Sequence, residues 1–364
     1  MGHGAALAEP AMEGTQVEQF QILRRLSAGG MGTVYEAVDQ GTKRRVAIKI
    51  LHKDIAQHRD VTLRFINEAR ALNVVHHPNL VRVIHLGKLP SGTPYLVMEY
   101  LDGVSLGTRL REDDRRLSMK QAIDICVQAA SALLAAHEKG IVHRDIKPDN
   151  IMVMTGGDGQ LLVKLFDFGI AKLPPEHMSA ELTFLRTQSG QLLGTPYYMA
   201  PEQCRSDAAI TEKVDVYALG TVLFCCLAGR TPFVSQGRGD AAMMHLCAQQ
   251  IAEPPPLLSE FVPDAAPPLT ALIARVLVKN PDERPSMKEL HDQLKQMLAS
   301  DSQLVNAPSA ALAAATVMQS QPSALGSDAA VPRPHGSPLR RYYPYLIAAV
   351  LIAWFVGLII WGLG

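Results

Sequence analysis

The chain lacks several features that would assign it to a common class. Its five cysteines (Cys126, Cys204, Cys225, Cys226, Cys247) are odd in number and show no C-x-x-C spacing. That argues against a disulfide framework or a structural zinc site and suits a reducing compartment. No charge sign dominates: 35 Lys and Arg stand against 35 Asp and Glu, and the basic residues form no stripe, which leaves nucleic acid out as a partner. The N-terminus has no apolar signal core, and Met1-Gly2-His3-Gly4-Ala5-Ala6 lacks the Ser or Thr that N-myristoylation requires. There is no internal repeat. Residues 1–17 are small and polar without periodicity, and are expected to form a disordered tail.

What is present suits one large domain with appendages. The 364 residues are 48 % apolar, enough for a sizeable core. From Phe20 to Tyr100, short β-branched runs at Val34–Ala37, Val46–Leu51, Leu80–His85 and Tyr95–Met98 surround one helical stretch at Asp60–Leu72. This predicts an antiparallel sheet with one helix. After Ser118 the periodicity is helical, over Lys120–Lys139, Thr211–Leu227, Ala241–Gln249, Leu269–Val278 and Ser286–Leu298, punctuated by Pro and Gly. The fold class is therefore α+β. Residues 300–341 have the Ala, Ser, Pro and Gln composition of a flexible linker, whose forty-odd residues would span about 35 Å root mean square. An uncharged apolar run then extends from Tyr345 to Gly364, with Arg340 and Arg341 before it, Tyr342, Tyr343 and Tyr345 at its entrance and Trp361 near its exit. As a helix it would rise roughly 28–30 Å, so residues 342–364 are expected to span a membrane once.

Four strings carry chemistry. Leu26-Ser27-Ala28-Gly29-Gly30-Met31-Gly32-Thr33-Val34 lies between two strand-like runs, where missing side chains let backbone N–H groups approach phosphate. Val46-Ala47-Ile48-Lys49 follows, with Glu68 on the next helix as the expected partner of Lys49. His143-Arg144-Asp145-Ile146-Lys147-Pro148-Asp149-Asn150 and Asp167-Phe168-Gly169 place a proton acceptor and two oxygen ligands for a hard cation at set separations. In their order and spacing these strings, with Gly194 to Glu202, Asp215 and Arg284, resemble a Hanks-type protein kinase over residues 18–299, most like the bacterial membrane-anchored Ser/Thr kinases.

The resemblance implies a two-lobed protein-kinase fold: a small antiparallel sheet lobe with one helix, a larger mainly helical lobe, and here one C-terminal transmembrane helix. It implies ATP and Mg2+ (Mn2+ as an alternative) as cofactors and protein Ser/Thr hydroxyls as acceptors. By the same likeness Asp145 would take or orient the hydroxyl proton, Lys147 would neutralise developing charge, and Asn150 and Asp167 would hold the metal. Lys49, oriented by Glu68, would meet the phosphates under Leu26 to Gly32. Val34, Ala47 and Met152 would enclose adenine, with Met98 behind and the backbone of Glu99 to Leu101 at its edge. Ser27 stands where the family's first loop glycine falls; on that departure alone rests the runner-up reading, a nucleotide-binding docking module. His143, Phe168 and Leu72 would pack an internal spine anchored by Asp215, and Glu202 would pair with Arg284. Thr195 would bond near Asp145 and Lys147. Arg144 suits activation by phosphate on Thr183, Thr187 or Ser189. The expected setting is the inner cell membrane, single-pass, with the kinase domain cytoplasmic, no outside sensor domain after Gly364, and a homodimer for trans-autophosphorylation.

Overall fold

A computed structural model of the chain describes residues 12–300, apart from 113–115, 157–158, 169–195, 206–208 and 236–238 and the side chains of Glu68, Ala71 and Asp240. Alternation along strands builds the first lobe. Strands β1 (Gln16–Val17), β2 (Phe20–Ala28), β3 (Gly32–Asp39), β4 (Arg45–Leu51), β5 (Val83–Lys88) and β6 (Pro94–Glu99) form an antiparallel sheet in the order β1-β2-β3-β4-β6-β5. Successive side chains leave a strand on opposite faces. In β4, Val46, Ile48 and Ile50 therefore join Tyr35, Tyr95 and Val97 in one core. Ala47 and Leu51 join Leu96 and Met98 on the other face, which also receives Lys49. After the short α1 (Lys53–Ala56), helix α2 (Arg59–Val74) covers that second face with Val61, Phe65 and Ala69, one stripe at helical spacing.

The second lobe is mainly helical. A small sheet of β7 (Val104–Ser105), β8 (Ile151–Thr155) and β9 (Leu161–Leu165) lies beside α3 (Leu106–Glu112) and α4 (Met119–His137). Helices α5 (Lys213–Ala228), α6 (Asp240–Ala252), α7 (Pro267–Val276) and α8 (Met287–Ala299) complete it. α5 is apolar all round and buried along almost its whole length, as expected of a central helix. It stops at Gly229, whose φ of 72° is left-handed. Both α4 and α8 begin with a capping box: Ser118 Oγ accepts from Gln121 N–H at 3.3 Å, and Ser286 Oγ from Glu289 N–H at 3.2 Å.

Three expectations need correcting or placing. The disordered tail expected over 1–17 ends earlier, because Val17 is buried and pairs with Phe20. The strand expected over Leu80–His85 divides. Leu80, 2 % exposed, packs into the larger core and bridges Leu165 in parallel, so β5 starts only at Val83. Of the linker expected over 300–341, only Ser300, the C-cap of α8, is among the described residues, and the span expected over 342–364 lies outside them; among those that are described, no helix is long and apolar enough to cross a membrane.

Candidate active site

One buried carboxylate shapes the loop. Asp215, in the first turn of α5, accepts from His143 N–H, Arg144 N–H and His137 Nε2, each at 2.8 Å. Those bonds hold Arg144 at a φ of +65°. A left-handed non-glycine residue costs on the order of 1–3 kcal/mol and persists only where its surroundings dictate it. Asp215 is that surrounding. His143 stacks on Phe168 with ring centroids 4.1 Å apart, and both are buried in the large core together with Leu72, the spine expected from the sequence.

From that frame Asp145, Lys147 and Asn150 converge. Lys147 Nζ donates to Asp145 Oδ2 at 3.0 Å, and Asn150 Nδ2 donates to the same oxygen at 3.0 Å and to the Asp145 carbonyl at 2.8 Å. Two donors on one oxygen fix the rotation of the carboxylate. Asn150 thus directs its amide nitrogen to the loop, and its carbonyl oxygen is the atom suited to a cation. Asp167, with a φ of +59°, places its carboxylate on Lys49 Nζ. Crowding by protein works to raise the Asp167 carboxyl, but the charge of Lys49, its hydrogen bond and the charge of Lys147 outweigh it, so the pKa falls below the usual carboxylate value. Asn150 Oδ1 and an ionised Asp167 form a hard oxygen donor set that fits Mg2+. The expected partner of Lys49, Glu68, lies on α2, and its side chain is outside the described ones.

The glycine loop spans the turn from β2, which carries Leu26, Ser27 and Ala28, through Gly29, Gly30 and Met31 to Gly32 at the start of β3. A Cβ on Gly32 would collide with the Ile50 carbonyl of β4, so only glycine lets the strands close there. A Cβ on Gly29 would meet nothing nearer than the Gly32 carbonyl at 3.8 Å, which leaves the tip open to a phosphate-sized group. Below it, Val34, Ala47, Met98 and Leu101 share the apolar cluster on the α2 side of the sheet. Met152, expected to close the same pocket from the other side, lies on β8 of the second lobe. Glu99 N–H donates to the Arg82 carbonyl at 3.0 Å, and the Glu99 carboxylate holds Lys164 Nζ at 2.6 Å.

Beyond the cleft, Glu202 and Arg284 form the expected pair, buried and bidentate at 2.6 and 2.8 Å. Other contacts were not legible in the sequence, because their partners sit far apart in the chain. Gln250 of α6 donates to the Pro196 and Tyr197 carbonyls at 3.1 Å each and accepts from Tyr217 Oη at 2.5 Å. Gln203 Nε2 donates to the Arg144 carbonyl at 3.0 Å. Neither glutamine, nor His137, nor Lys164 belongs to a spaced motif. Thr183, Thr187, Ser189, Gly169 and Thr195 lie outside the described residues.

Comparison with known proteins agrees with this geometry. Residues 20–294 match the family described as protein kinase domain. The serine/threonine-protein kinase Pkn1 of Myxococcus xanthus is 38 % identical over 277 residues, covering 76 % of this chain and 38 % of that one. The serine/threonine-protein kinase PknA of Mycobacterium tuberculosis is 38 % identical over 270 residues, covering 73 % and 58 %. The chain thus spans less than two thirds of the length of either relative. The crystal structure of the M. tuberculosis PknI kinase domain superposes with a TM-score of 0.60 at 26 % identity, covering 79 % of this chain and 98 % of that one. A match over residues 20–294, joined to a loop, donor set and two-lobed architecture of this kind, means that the chain belongs to the protein kinase domain family.

Proposed function

We propose that the chain is an ATP-dependent serine/threonine protein kinase. It transfers the γ-phosphoryl group of Mg2+–ATP, or of Mn2+–ATP, to Ser or Thr hydroxyls of proteins. It is activated by autophosphorylation among Thr183, Thr187 and Ser189, in trans within a homodimer, and signals from the cytoplasmic face of the membrane to which residues 342–364 tether it. The observation that carries this reading is the convergence of Asp145, Lys147 and Asn150 on one oxygen, next to the Lys49–Asp167 pair.

The bound nucleotide and cation supply the phosphoryl group and its charge compensation; the chain's residues do the rest. Asp145 holds the acceptor hydroxyl by its proton. An ordinary carboxylate has a pKa of about 3.9 and is a weak base, so positioning contributes more than basicity. Lys147, already beside Asp145, offsets charge that builds on the transferred group. Lys49 holds phosphate oxygens, and Asn150 and Asp167 supply the metal ligands. The backbone of Glu99 and Leu101 meets the adenine edge, while Val34, Ala47 and Met152 exclude water from its faces. Arg144, whose buried Nε has no partner among the described residues, supports a role in clamping a phosphate on the loop.

The full-length chain incubated with labelled ATP and magnesium should label itself, and Asp145→Asn should lower the rate by about 10²–10⁴-fold, the usual contribution of a positioned acid–base group. Equal labelling of the two proteins would remove the basis of this reading.

A further inference from the structure

The glycine loop is held unevenly. Its β2 arm is exposed from Leu23 to Ala28, and the pairing of that arm with β3 slips between Ile22 and Arg24 and again between Arg25 and Ser27. Across the turn, Gly29 N–H reaches the Gly32 carbonyl at 2.9 Å, so the tip closes on itself. The β3 arm is fixed in register to β4, with Gly32 opposite Leu51 and Thr33 opposite Ile50. One step beyond the last pair, His52 N–H donates to the Met31 carbonyl at 3.1 Å. Met31, in the turn, also packs against the apolar cluster that contains Leu51 and Ile55. What places the loop therefore comes from the β4 side.

His52 adds a second hold. It stands opposite Met31 in the register, which makes Thr33 its diagonal neighbour, two residues along β3. Long side chains bridge such diagonals, and here Thr33 Oγ1 and His52 Nε2 are hydrogen-bonded at 3.2 Å. Thr33 is buried, so its hydroxyl needs a protein partner. Either imidazole tautomer serves, because a hydroxyl can donate or accept. Alternation puts Thr33 and His52 on the face that carries Tyr35 and Ile50, turned away from Val34, Ala47 and Leu51. The clasp thus acts from behind the loop.

The same residue begins the helical side of the lobe. His52 directly precedes α1, and its carbonyl accepts from Ala56 N–H at 2.8 Å. Helix α1 leads into α2, which carries Glu68. One imidazole and its own backbone thus join the turn of the glycine loop to the start of the α1–α2 unit.

We propose that His52 is a positioning residue for the glycine loop: through Thr33 Oγ1 and the Met31 carbonyl it sets the place of the loop over the nucleotide phosphates. The nucleotide half of this inference rests on the kinase reading above; the clasp itself does not. Without the imidazole bond the β3 arm keeps its ladder, but the turn that faces phosphate loses one of its two fastenings to His52. The loss falls on phosphate contacts. It spares the adenine pocket, whose Val34, Ala47 and Met98 lie on the opposite face of the sheet. One hydrogen bond of ordinary strength corresponds to an about five- to tenfold change in binding.

The test compares the full-length wild type with three variants. Thr33→Val keeps the shape of the side chain without the hydroxyl, His52→Leu cannot bond, and His52→Gln carries an amide that reaches the place of Nε2. Mg2+–AMP-PNP and adenosine are titrated calorimetrically into each. Thr33→Val and His52→Leu should each weaken Mg2+–AMP-PNP by about five- to tenfold, leave adenosine within about twofold, and lose no more when combined. His52→Gln should recover most of the loss. Unchanged AMP-PNP affinity, equal losses for AMP-PNP and adenosine, or additive losses in the double variant would overturn the proposal. Hydrogen exchange of the nucleotide-free chains reads the clasp independently. Amides of Gly29 to Val34 should exchange faster in Thr33→Val and His52→Leu than in wild type or His52→Gln, with α5 unchanged. Equal exchange in all four proteins, or faster exchange throughout the chain, would overturn it. A wild type that binds neither AMP-PNP nor ATP would count against the kinase reading, and hydrogen exchange would still decide the clasp.

Discussion

His143 shows how one side chain couples the site to acid stability. It is wholly buried, stacked on Phe168, and its Nδ1 accepts from Asp145 N–H at 3.3 Å. Burial, opposed by the charges of Asp215, Asp145 and Asp167, lowers its pKa and keeps it neutral. The unfolded chain takes up a proton there near pH 6.5 and the folded chain resists, so stability is whole above about pH 6.5 and is lost as the pH falls from there toward the lowered value. His143→Phe preserves the stack and removes the titration. Thermal unfolding at pH 7 and pH 5 should show a smaller drop for the variant than for wild type; equal drops would mean that His143 does not contribute to acid sensitivity. At this scale the motif residues were legible because their spacing is local: Asp145, Lys147 and Asn150 meet within six residues. His137 was not, because its partner Asp215 is 78 residues away and nothing in the local pattern marks it.

The central helix sets the tolerance of the larger lobe. Alanine normally replaces a helical glycine with a gain of about 1 kcal/mol. At Gly220 of α5 the added Cβ would run into Val276 Cγ1 of α7, and overpacking costs about 1–3 kcal/mol. The clash should win. Gly220→Ala is expected to lower the denaturant midpoint, and adding Val276→Ala should return part of the loss; a gain in the single variant would show that α7 can retreat. Elements were legible where one signal dominated. α4 and α8 announce themselves through Ser caps and a helical stripe. Leu80–His85 misled because a β-branched run does not reveal that Leu80 belongs to the larger core while Val81, the next residue, belongs to the core of the first lobe.

For the molecule as a whole, two lobes were legible in the right order because strand-like runs dominate up to Tyr100 and helical periodicity dominates after Ser118, although the small sheet of β7 to β9 falls inside the second lobe. The proposal that residues 342–364 span a membrane with Arg340 and Arg341 on the inner side is tested by removing 342–364. The shortened chain should move from the membrane to the soluble fraction; unchanged fractionation would exclude that anchor. Asp215 adds a temporal consequence. The loop at His143 and Arg144 takes its shape from a residue 72 and 71 positions later. A ribosome therefore releases every side chain of the phosphotransfer loop well before the helix that arranges them. The loop can take the shape described only once α5 has emerged and packed, so its arrangement follows the synthesis of residues 213–228.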